Sequence, residues 1–98
     1  MAERLRRPSM PGEILRELFL EPRGVTISRF AAALEVSRKH MSDLVNGKVR
    51  VEPMMAGRIA KALGTSAQVW LNLQASVDAY DAEAAVKRWR PKETFKAA

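Results

Sequence analysis

Apolar residues recur along this chain at helical spacing, and polar or turn-forming residues punctuate them. After Pro11, the positions Ile14, Leu15, Leu18 and Phe19 fall on one face of a 3.6-residue period before Pro22 and Gly24 break the run. Thr26, whose hydroxyl can accept from free backbone N–H groups, then opens a short second helix. In it Ile27, Phe30, Ala31 and Leu34 stand at i, i+3, i+4 and i+7. Ser37 can cap a third helix over residues 38–46, which Gly47 can end by taking a left-handed conformation. Glu52-Pro53 opens a fourth, with Met55, Ala56, Ile59, Ala60 and Leu63 inward and Gly64 as its stop. Thr65 and Ser66 cap a fifth, which carries Trp70, Leu73, Val77 and Tyr80 and is expected to continue to Pro91, where proline forbids it. Strand-type alternation is absent. The predicted class is all-α, five helices joined by tight turns, the last one extended.

At 98 residues the chain has room for one core. The expected division is a flexible basic arm over 1–10, a helical domain over 11–90 and a flexible tail over 91–98. Cysteine is absent and His40 is the one histidine, which argues against disulfides, thiol chemistry and a multi-histidine metal site. Neither paired carboxylates nor a glycine-rich phosphate loop is present, so no catalytic residue, cofactor or metal is expected. No apolar run is long enough to span a bilayer and no secretory h-region follows the basic start, so a cytoplasmic protein without a membrane partner is expected. The net charge of +6 favours polyanionic partners, though positive charge also serves solubility and does not locate a surface.

The third helix changes that picture, because its two faces differ in kind. Met41, Leu44 and Val45 make an apolar stripe, while Arg38, Lys39, Ser42 and Asp43 lie opposite. In a major groove Arg or Lys can donate to guanine, Ser can serve either partner type, and Asp can accept from cytosine N4. The plain alternative is a solvated face of an amphipathic helix. The neighbours favour the first reading: a short capped helix and a tight turn precede, and Lys48 and Arg50 follow where the chain can meet phosphates.

The segment TISRFAAALEVSRKHMSDLVNGK resembles the helix-turn-helix of phage-repressor-like regulators. The flanks PGEILRELFLEPRG and RIAKALGTSAQVWLNLQASVDAY resemble the HigA-type antitoxins of bacterial toxin–antitoxin modules, so the likeness covers residues 11–80. It implies a lambda-repressor-like five-helix domain that neutralises a HigB/RelE-like, ribosome-dependent mRNA-cleaving toxin. It further implies a homodimer on palindromic double-stranded operator DNA that represses its own operon. The alternative is a free-standing phage- or plasmid-type repressor without a toxin, and a third is a general nucleic-acid-binding protein. By the same resemblance the base-reading positions fall on Ser37, Arg38, Lys39, Ser42 and Asp43, and the DNA-backbone positions on Thr26, Asn46, Lys48 and Arg50.

One module contacts few base pairs, so a dimer spanning half-sites about 34 Å apart is expected. Helix five, through Trp70, Leu73, Val77 and Tyr80, is the expected dimer surface, with core packing as the other reading of its aromatic residue. Glu35 departs from the resembled pattern, since the turn it occupies favours glycine and a left-handed residue there stores strain. Asp43 repels phosphates unless it meets cytosine or is neutralised by Lys39. His40 is expected partly buried, and Met54 and Met55 as fillers of the core. Trp89 finds no place in the core pattern, and Arg4, Arg6 and Arg7 read as a solvated terminus, a minor-groove arm or a toxin contact.

Overall fold

A computed structural model describes residues 6–97. Helix α1 covers residues 11–23: an α-helical turn Pro11–Ile14 widens into a π-helical stretch Leu15–Leu20 and tightens into a 3-10 turn Glu21–Arg23. Then come α2 (Ile27–Leu34), α3 (Arg38–Val45), α4 (Pro53–Leu63) and α5 (Ala67–Ala85), with no strand among the described residues. Helix α3 packs on α2 and α1, and α4 on α5 and α2. Leu15, Leu20, Phe30, Leu34, Met41, Leu44, Val45, Ile59 and Trp70 meet in one buried cluster.

The widened stretch of α1 corrects its expected face. A π turn holds more residues than an α turn, so Leu15 and Leu20, five apart, both reach the core. Leu18 is turned outward and is 63% exposed. Phe19 is half-buried, its ring 5.4 Å from that of Trp70 at 59°. The start of α1 is held by Glu13, whose Oε1 accepts from Met10 N at 3.1 Å. Gly12 lies directly under α3: a Cβ there would stand 1.7 Å from the carbonyl oxygen of Leu44, so the two helices approach only because this residue has no side chain.

Caps fall where the sequence predicts them. Thr26, Ser37 and Ser66 each accept from the backbone N–H three residues on, opening α2, α3 and α5. Helix α2 ends in a left-handed Glu35 (φ 60°, ψ 43°), with Val36 N donating to Ala31 O at 3.0 Å and Glu35 N to Ala32 O at 3.2 Å. This C-cap closes the tight turn to α3, and the non-glycine residue in it costs about 1 kcal/mol.

Several expectations are revised. Helix α5 stops at Ala85, well before Pro91, because every described residue beyond Tyr80 is exposed and a helix end without packing gains little from its own hydrogen bonds. Trp70 and Val77, expected on a dimer surface, are each 1% exposed inside a single chain, and Trp70 Nε1 donates to Thr65 Oγ1 at 2.9 Å. Leu73 and Tyr80 remain half-exposed. Met54 is 73% exposed rather than a core filler, Met55 packs partly against the core, and His40 is exposed. Arg7 is tied to Asp81 by two contacts of 2.9 and 3.0 Å, Arg6 is exposed, and Arg4 lies outside the described residues.

Candidate nucleic-acid interface

Burial divides α3 cleanly. Met41, Leu44 and Val45 are fully buried, while Arg38, Lys39 and Ser37 are exposed and Ser42 and Asp43 half-exposed. The helix is therefore anchored by one stripe and free along the other. Thr26 at the start of α2 and Asn46 and Lys48 after α3 are exposed as well. The structure thus leaves the predicted base-reading residues on the outer side of one short helix, with exposed backbone-contact candidates at the ends of α2 and α3.

Local bonds orient these side chains. Arg38 Nε donates to Ser28 Oγ at 2.9 Å, fixing the guanidinium stem against α2 while leaving its outer nitrogens without an intrachain partner among the described residues. Lys39 Nζ lies 2.9 Å from Asp43 Oδ2, one helical turn away. The Lys39 ammonium holds the Asp43 carboxyl below the ordinary carboxylate range, with Lys48 and His40 adding to the effect. Asp43 is therefore ionised at neutral pH, and its repulsion of phosphate is offset by a neighbouring cation. Ser37 Oγ accepts from His40 N at 3.0 Å, so its hydroxyl serves as cap and retains its proton for donation.

Arg16 of α1 passes unnoticed in the sequence. Its Nη1 donates to Asn46 Oδ1 at 2.9 Å, and Asn46 Nδ2 in turn lies 3.5 Å from Ser42 Oγ. This places Arg16 beside the exit of α3. Thirty residues separate Arg16 from Asn46, and no local pattern links them. Ser28 is equally silent in the sequence, its link to Arg38 depending on how α2 and α3 cross.

Arg50 does not belong with the free cations. Its guanidinium forms two contacts with Asp78 of α5, at 2.9 and 2.6 Å, and a third with Glu52 at 2.9 Å. Asp78 also accepts from Gln74 Nε2 at 3.1 Å, and the buried Gln74 accepts from Val51 N at 2.8 Å. Two carboxylates thus engage the Arg50 guanidinium, which was expected at phosphate and here braces its own loop. This network fixes the segment between α3 and α4 onto α5.

Comparison with known proteins agrees with this geometry. A family model described as "Helix-turn-helix" matches residues 15–70. A curated relative from Haemophilus influenzae, an uncharacterized HTH-type transcriptional regulator, is 44% identical over 80% of this chain and 73% of its own length. Antitoxin HigA-1 of Vibrio cholerae is 43% identical over 83% of this chain and 76% of its own. Among solved structures, PA4674 from Pseudomonas aeruginosa in complex with its operator DNA superposes with a TM-score of 0.78 at 38% identity, covering 84% of this chain and 86% of that one. The chain belongs to the HigA-type antitoxins within the phage-repressor-like helix-turn-helix family, a family of DNA-binding regulators rather than enzymes.

Proposed function

We propose that this protein is a cytoplasmic antitoxin that neutralises a HigB/RelE-like, ribosome-dependent mRNA-cleaving toxin and, as a homodimer, represses its own operon from a palindromic operator. The single observation that carries the DNA half of this reading is the exposed polar side of α3, anchored by a fully buried stripe. The likeness to an operator-bound neighbour supports it.

In this reading Ser37, Arg38, Lys39, Ser42 and Asp43 face base edges. Arg38 and Lys39 supply donors for guanine, and ionised Asp43 accepts from cytosine N4. Thr26, Asn46 and Lys48 meet phosphates, the amide groups at the start of α2 adding donors of the right polarity. Arg16 positions Asn46, and Arg50 braces the loop behind it. Two copies pair through the outer side of α5, where Val69 is 46% exposed and Leu73 and Tyr80 are half-exposed. An apolar surface on a helix already packed on its other side favours a second copy as its cover.

The test is co-expression with the product of the neighbouring gene, followed by band-shift assays on the DNA upstream of both. The expected result is a co-purifying complex, a dimer in the absence of toxin, and retarded operator DNA. A chain that stays monomeric in solution and on DNA contradicts the assembly. Failure of any neighbouring product to bind favours the second reading, a free-standing repressor. The name of the Haemophilus influenzae relative, a transcriptional regulator, supports that alternative.

A further inference from the structure

The chain has six aromatic residues: Phe30 and Trp70 are buried, Phe19 packs against the core, and Tyr80 is half-exposed on α5. The other two stand in the last stretch, Trp89 at 62% and Phe95 at 84% exposure. They alternate there with Lys87, Arg88, Arg90, Lys92 and Lys96 against the one carboxylate of Glu93, so this stretch holds four of the chain's six net positive charges. Among the described residues none of these five cations takes part in an ion pair. Beyond the turn that ends α5, residues 89–97 adopt no regular element.

We propose that residues 87–96 form a second nucleic-acid contact, separate from α3, that takes single-stranded nucleic acid by stacking its bases on Trp89 and Phe95. Exposed aromatic rings between cations are the chemistry that unpaired strands select: phosphates meet Lys and Arg, and any base offers a π-face to a ring. Six residues of extended chain let the two rings stand up to about 20 Å apart, a span that crosses several stacked bases. A duplex offers phosphates without accessible base faces, so it leaves the aromatic residues unused. An anionic bilayer is the other polyanion that takes tryptophan, but it favours a continuous apolar helix face. The stretch has no helix to present one, and Pro91 stands between its two rings.

The test uses the full chain and the fluorescence of Trp89, with buried Trp70 as a constant background. Oligo(dT) and oligo(U), each of twenty nucleotides, are titrated in separate arms that distinguish DNA from RNA as the source of the strand. Saturable quenching by either is expected, with affinity falling against salt at a log–log slope of roughly −3. Followed by the fluorescence anisotropy of an end-labelled strand, which needs no tryptophan signal, Trp89→Ala is expected to weaken binding about tenfold to a hundredfold, and Phe95→Ala by less, while both leave band shifts on duplex operator unchanged. The exposed positions make both variants foldable, which circular dichroism checks. The proposal is overturned if neither homopolymer quenches Trp89, if random duplex quenches it equally, if Trp89→Ala binds like the parent, or if anionic phosphatidylglycerol vesicles bind in place of the strands.

Discussion

The side-chain carbonyl of Gln74 accepts the backbone N–H of Val51 at 2.8 Å, and both residues are buried, at 3% and 1% exposure. The residue before α4 is thereby hydrogen-bonded across the core by α5. A buried N–H without an acceptor costs about 1–3 kcal/mol. Gln74→Leu is expected to lower the unfolding free energy by about that amount, with the midpoint of urea denaturation shifting and its slope unchanged. A loss within error of zero means that water or a shifted backbone replaces the bond.

The same network predicts an acid-sensitive stability. The Arg50 guanidinium, then the Gln74 amide, hold the Asp78 carboxyl below the ordinary carboxylate range. A depressed folded-state value stabilises the fold above the unfolded value near 3.9, and this is lost as pH falls through the lower folded value. Stability measured from pH 6 downward is expected to decline below about pH 4, and Asp78→Asn to flatten the part due to this residue. Because the pair is half-exposed, the effect is small at high salt.

Glu35 makes the third case. Its φ of 60° is taken by glycine at the ends of α1, α3 and α4. Glu35→Gly relieves a steric cost of about 1 kcal/mol, partly offset by the greater freedom of glycine in the unfolded chain. A net gain of up to about 1 kcal/mol, or a few degrees in Tm, is expected in thermal unfolding.

Helix starts, the α2–α3 turn and the buried stripe of α3 are legible in the sequence because each depends on residues a few positions apart. Thr26, Ser37 and Ser66 declare their caps, and Glu35 its strained turn. Leu18 misleads because a π turn changes the period that places it on the buried face. Trp70 and Val77 mislead because α5 is apolar on more than one side, and periodicity does not say which side a single chain covers. Arg16, Ser28 and Arg50 depend on partners ten to thirty residues away, so their roles follow only from how the helices cross. Sequence reading offers Arg50 to phosphate because its partner Asp78 lies in a helix not yet placed.

Lys48 and Arg50, two residues apart, differ in their partners. Lys48 is exposed without an ion pair among the described residues, whereas Arg50 is held by Asp78 and Glu52. Lys48→Ala is expected to weaken binding to all duplexes alike and to reduce the salt slope of operator binding by about one. Arg50→Ala is expected to leave that slope unchanged and to lower thermal stability instead. Filter-binding titrations across a range of salt concentrations compare the two.

The central claim is that the outer side of α3 reads base sequence, and Arg38, exposed and braced on Ser28 through its Nε, offers its outer nitrogens as donors there. The direct measurement is the affinity of the parent and Arg38→Ala for the operator and for a panel carrying each single base change. The expected result is a loss of about 1–3 kcal/mol of discrimination confined to one position in each half-site, with random-duplex affinity less affected. A uniform loss on every sequence, matching that of Lys48→Ala, would contradict base reading by Arg38 and reduce α3 to a phosphate contact.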